Sequence, residues 1–155
     1  MKINTVQKDS FQIVGIKWQG TYEQAGNGEI RQAMSQFRER MSEIPETVQP
    51  RYILGISVHD IPNGFTYYIG SEVKQAAQLP EGMISFIVPS QLYATLNHPT
   101  GEEVYQSYET IDHWIKQEGY QTVTEPINYL EVYPATYDPQ TDQPMLTIMV
   151  PIKDD

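Results

Sequence analysis

The sequence predicts an α+β fold: two strand-helix-strand-strand units joined into one mostly antiparallel curved sheet, with two helices on one face and a central pocket. Three observations predict it. Some runs have the β-branched content or period-two alternation of strands, and two others repeat apolar residues at helical spacing. The order of these elements then recurs after roughly 80 residues, as element order rather than residue identity. Residues 11–73 and 92–152 thus read as pseudo-repeat halves of a single domain over residues 1–155.

In the first half, Phe11 to Trp18 is apolar and β-branched enough for a strand, and it runs into a segment carrying Gly20, Gly26 and Gly28. From Ile30, the residues Ala33, Met34, Phe37, Met41 and Ile44 fall on one helical face, with Asn27 as N-cap and Pro45 as stop. Strands at Arg51 to Val58 and Phe65 to Val73 follow, and the Asn63-Gly64 turn joins them as a hairpin. Residues 74–91 read as the connector between halves, around a short apolar run at Met83 to Val88.

The second half opens with a strand at Leu92 to His98 and a turn at Pro99-Thr100-Gly101. The stretch Thr100-Gly-Glu-Glu103 has capping-box form, in which a Thr hydroxyl and a Glu carboxylate satisfy each other's backbone N–H groups. Val104, Tyr108, Ile111 and Ile115 then mark a helical stripe that Gly119 ends. Strands at Ile127 to Tyr133 and Met145 to Ile152 complete the unit across a turn-rich stretch from Pro134 to Pro144. Such halves pack with both helices on one face of the sheet, leaving the other face free to curve around a ligand and a cleft between halves.

The strand Tyr129-Leu-Glu-Val-Tyr133 holds the residue that attracts attention. Alternation puts Leu130 and Val132 on one face and Tyr129, Glu131 and Tyr133 on the other. Aligned by element order, this strand matches Tyr52 to Ile56 of the first half, where the position near Glu131 is Leu54. A carboxylate at a central apolar position is costly unless a cation or donors answer it. It is therefore either an anion held in an aromatic pocket or a residue of an exposed or structurally hydrogen-bonded face. Tyrosine is over-represented, with 11 residues, and Trp18, Tyr22, Tyr52, Tyr67, Tyr68 and Tyr93 join Tyr129 and Tyr133 as candidates to line such a cavity. Aromatic faces of this kind suit planar or cationic molecules.

Other chemistries find little support. A formal charge of −10 with scattered basic residues argues against a nucleic-acid backbone as partner. There is no cysteine, hence no disulfide or thiolate chemistry, and His59, His98 and His113 lack metal-ligand spacing, so no metal or cofactor is expected. Gly26-Asn-Gly28 departs from the dinucleotide fingerprint, Gly55-Ile-Ser-Val-His59 lacks the final glycine of a nucleophile elbow, and no Walker motif occurs. Neither a signal peptide nor an 18-residue apolar span is evident, which predicts a cytoplasmic protein without a membrane partner.

The stretches Phe11-Gln-Ile-Val-Gly-Ile16, Leu92-Tyr-Ala-Thr-Leu-Asn-His-Pro-Thr-Gly101, Tyr129-Leu-Glu-Val-Tyr-Pro134, Asp138-Pro139 and Thr147-Ile-Met-Val-Pro-Ile152 together resemble the GyrI-like small-molecule-binding domains, also called bacterial transcription-activator effector-binding domains. The resemblance covers nearly the whole chain. It implies the duplicated fold, a pocket between halves, and a glutamate, here Glu131, facing lipophilic and often cationic ligands. Some members are sensor domains of multidrug-responsive regulators; this chain shows no basic helix-turn-helix segment, so contact with DNA is expected only through a partner. Other members resemble gyrase-inhibiting proteins, and a subset hydrolyses cyclopropyl ketone-type electrophiles. Three readings follow from the resemblance. One is a stand-alone small-molecule-binding protein using Glu131, Tyr133 and Tyr129. A second is a hydrolase with Glu131 as general base and a tyrosine such as Tyr133 polarising the electrophile. The third is a partner protein for gyrase or a regulator.

Overall fold

Every strand-forming run finds an antiparallel neighbour. In the computed structural model, which describes residues 2–154, nine strands, three α-helices and a short 3-10 turn at Met41–Glu43 are present among the described residues. β1 (Ile3–Lys8) and β2 (Phe11–Thr21) lead into α1 (Tyr22–Gly26) and α2 (Glu29–Arg40). The hairpin β3 (Tyr52–Ile61) and β4 (Gly64–Val73) follows, then β5 (Ile84–Val88) and β6 (Gln91–Asn97). α3 (Val104–Gln117), β7 (Tyr120–Thr122), β8 (Tyr129–Pro134) and β9 (Thr147–Asp154) complete the chain.

The strands form one sheet in the order β1-β6-β9-β8-β3-β4-β2-β5, with β7 added beside β9 and every pairing antiparallel. The duplication is visible in that order. β2, β3 and β4 of the first half mirror β6, β8 and β9 of the second, and the halves meet where β3 pairs with β8. The α+β architecture is the one the sequence predicts.

α2 buries Ala33, Met34 and Phe37 against Val14, Ile53, Tyr67 and Ile69, while α3 buries Ile111 and Ile115 against Leu96, Ile148, Val150 and Ile152. Register puts these strand residues on one face, so both long helices cover the same side. No helix among the described residues covers the opposite face. That face closes on itself through Phe11, Ile13, Leu54, Ile56, Tyr93, Leu130 and Met149.

Several local expectations are corrected. β1, β5 and β7 lie where no strand was read; β1 pairs with β6, and β5 turns the presumed connector into a partner of β2. The capping box at Thr100 does not form, because α3 starts at Val104 with Glu103 at its N-cap and no side-chain cap bond. Instead the buried His98 ring bonds the Ser107 hydroxyl at 2.7 Å and the Glu102 carbonyl at 2.9 Å, tying β6 to the helix start. A true capping box forms at α1, where the Thr21 N–H donates to Gln24 Oε1 at 2.8 Å and the Gln24 N–H to Thr21 Oγ1 at 3.1 Å. α2 is capped by Gly28 at φ +99° rather than by Asn27.

Candidate functional site

Tyr129, Glu131 and Tyr133 project from β8 onto the helix-bearing face, next to the seam between halves. Across the seam Glu131 opposes Gly55, and Leu54, the expected sister position, points to the other side. A shift of one residue in a strand reverses the face, so the alignment by element order was out of phase there. Gly55 matters because it has no side chain: a Cβ there would lie 1.9 Å from the Tyr67 hydroxyl oxygen. The missing carbon lets the Tyr67 phenol cross to the glutamate.

Three phenols converge on that carboxylate. Tyr67 donates to Oε1 at 2.5 Å and Tyr133 to the same oxygen at 3.2 Å, while Tyr108 from α3 donates to Oε2 at 2.6 Å. Burial, reinforced by the Glu131 charge, holds all three phenols well above their ordinary range near 10. They stay protonated donors. Among the described residues no lysine, arginine or histidine lies within ion-pair distance of Glu131, so its charge is met by hydrogen bonds alone.

Around this floor is a cavity of about 680 Å³ on the helix-bearing face, between α1–α2 and α3. Its walls are largely aromatic. Phe65 stacks with Tyr22 at 5.5 Å between ring centroids and stands edge-on to Tyr67 at 6.1 Å; His59 is edge-on to Tyr129 at 5.4 Å, and Tyr108 to Tyr129 at 4.8 Å. Tyr22 and Tyr105 are 54% and 59% exposed at the mouth. The capping box of α1 and a bond from the Tyr22 N–H to the Asn63 carbonyl at 3.0 Å hold the Tyr22 backbone over the hairpin turn. Desolvation lowers the His59 pKa, which favours the neutral ring in this wall. No group of three or more His, Cys, Asp or Glu side chains able to hold a metal occurs among the described residues.

Of the residues singled out from sequence, Glu131, Tyr133, Tyr129 and Tyr67 line this cavity, as does Tyr22. The other four are elsewhere. Tyr68 faces the helix-free side and packs on Phe86 at 4.6 Å, and Tyr93 is fully buried in the core of that side. Tyr52 is exposed beside two other hollows, neither of which Glu131 lines. Trp18 donates its indole N–H to Glu29 at 3.1 Å and packs against the α2 core. The cavity also lies on the helix-bearing face, not the face expected to curve around a ligand. Sequence reasoning missed Tyr108, Phe65, Tyr105 and Arg31 as lining residues and considered His59 only as a possible metal ligand. Tyr108 carried a signal, since it is a polar-tipped residue inside the apolar stripe of α3.

Comparison with known proteins gives the family and the fold. Residues 4–152 match the Cass2 family of integron-associated effector binding proteins. The chain belongs to that family, among the GyrI-like effector-binding domains. It is 33% identical over 122 residues to the transcriptional regulator BrlR of Pseudomonas aeruginosa, covering 77% of this chain and 44% of BrlR. The effector-binding chain therefore spans less than half the length of that regulator. SAV2435, solved bound to tetraphenylphosphonium, shares the fold at TM-score 0.74 and 20% identity over 99% of this chain and 94% of its own. EcmrR, solved in a complex with DNA, does so at TM-score 0.70 and 14% identity, over 99% of this chain and 58% of EcmrR. No helix among the described residues is long and apolar enough to cross a membrane.

Proposed function

We propose that this effector-binding domain takes lipophilic aromatic cations into the Glu131 cavity and acts as the ligand-sensing part of a regulatory system. One observation carries the reading: a carboxylate with no cation among its partners stands at the floor of an aromatic-walled cavity. Such an anion is stabilised by a bound cation whose apolar body replaces water over the rings. The tetraphenylphosphonium seen with SAV2435 and the regulatory role in the name BrlR support the same reading.

Isothermal titration with tetraphenylphosphonium tests it on the wild type and Glu131→Gln in parallel. The amide keeps the shape and removes the charge, so affinity is expected to fall by about 1–3 kcal/mol, roughly 5- to 150-fold. Equal affinity in the two proteins would remove Glu131 from the ligand site.

A further inference from the structure

Behind the Glu131 cavity, on the helix-free face of the same two central strands, is a second hollow of about 470 Å³. Its apolar lining is Leu54 of β3, Leu130 and Val132 of β8, Met149 of β9 and Val6 of β1. The curvature of the sheet creates it. β1, at one end of the strand order, reaches back to β4 of the other half, where the Lys8 ammonium contacts Glu72 Oε1 at 3.3 Å. That contact bridges the hollow at its rim, and no helix among the described residues fills the space beneath.

We propose that this hollow is a second ligand site, selective for uncharged lipophilic small molecules. The charge pattern decides the class. Its lining carboxylate, Glu72, is already paired with Lys8, whose ammonium also sits 4.5 Å from the centre of the Phe11 ring. The lining thus offers no unpaired charge, unlike the Glu131 floor, and a bound cation or anion would lose hydration with no partner to replace it. Gln7, Gln49 and Tyr52 supply neutral donors and acceptors for one polar end of the occupant. The volume falls within the range of small-molecule sites, on the order of 300–1,000 Å³, and is too small for a folded partner. Alternation along β8 makes the two sites distinct, since Leu130 and Val132 can meet only the rear occupant and Glu131 only the front one.

Fluorescence titration with the neutral probe N-phenyl-1-naphthylamine tests this without reference to the natural ligand of either cavity. Val6→Trp fills the rear hollow from an edge strand, and Gln49→Trp fills it from an exposed loop, so a folding failure in the first leaves the second informative. Ala25→Trp fills the front cavity. At least tenfold weaker probe binding in the folded rear-filling variants, with binding retained in Ala25→Trp, is the expected result. Absence of probe binding to the wild type would overturn the proposal, as would binding lost in Ala25→Trp and kept in Val6→Trp and Gln49→Trp.

Discussion

On the helix-bearing side of β8, Tyr129, Glu131 and Tyr133 meet donors imported from two other elements, Tyr67 of β4 and Tyr108 of α3. On the other side, Leu130 and Val132 meet Leu54, Ile56 and Met149 from the adjoining strands. Apolar contact is non-directional, so the rear face is satisfied by whatever apolar residues the register brings alongside. The half-buried Glu131 carboxylate is not. It needs donors aimed at both oxygens, and the structure supplies them through a helix, the strand beyond β3 and a glycine on β3 that clears the path. Front and rear therefore differ in how they tolerate change: one fails by lost geometry, the other by lost volume.

The largest expected effect is on the rear. Leu130 is 0% exposed, and Leu130→Ala removes its apolar contacts and opens a cavity, costing about 2–5 kcal/mol in urea unfolding. Val132→Ala, beside the rear hollow and only partly buried, should cost much less. Equal costs would show that the rear face has no organised core.

Alkaline pH attacks the front. Tyr67, Tyr108 and Tyr133 hold their protons in the folded state well above the ordinary phenol value of 10, whereas the unfolded chain releases them near it. Above that pH the folded state binds more protons than the unfolded state, so stability falls as pH rises. It is fully present below pH 10 and lost progressively on the way to the raised folded values. The urea midpoint should drop between pH 9 and pH 11, and less steeply in Tyr108→Phe (on the order of one proton fewer in the linkage). An unchanged slope would mean that the Tyr108 phenol ionises freely in the folded protein. Tyr93 on the rear, pushed up to about 12 by burial alone, adds to the same decline without involving Glu131.

Gly55→Ala comes next. The new methyl would meet the Tyr67 hydroxyl 1.9 Å away, so either the phenol leaves Glu131 or the strand shifts. Overpacking of this kind costs about 1–3 kcal/mol, and cation affinity should fall with it. Wild-type affinity and stability in Gly55→Ala would show that the glycine is not what admits Tyr67.

Strand β8 was legible because its pattern is local: alternation alone put Tyr129, Glu131 and Tyr133 on one face, and the family resemblance placed the glutamate at a pocket. What stayed hidden depends on phase and on distant partners. Tyr67 and Tyr68 are adjacent and chemically alike, and only the pairing of β3 with β4 decides which faces Glu131. Tyr93 is separated from the glutamate by the thickness of the sheet, which composition cannot reveal. Tyr108 sits in a helical stripe that reads as core, and much of its ring is core; only its hydroxyl reaches the site. Thr100 had the right neighbours for a capping box, yet α3 starts at Val104 without a side-chain cap, and His98, brought over the helix start by β6, holds it through the Glu102 carbonyl and the Ser107 hydroxyl instead.

The smallest effect sharpens the comparison most, because one deletion has opposite signs on the two faces. Tyr108→Phe removes a 2.6 Å donor from a carboxylate, and the loss should be about 1 kcal/mol, since the cavity is open enough for water to replace part of it. Tyr93→Phe removes a hydroxyl that is buried on the rear with no hydrogen-bond partner among the described residues. An unpartnered buried hydroxyl is a cost to the folded state, so its deletion should leave stability unchanged or raise it by up to about 1 kcal/mol. Urea unfolding of both variants at neutral pH measures the pair. A loss in Tyr93→Phe as large as that in Tyr108→Phe would mean that the rear hydroxyl does have a partner, a water held within the core, and that the rear face also depends on directed polar contacts.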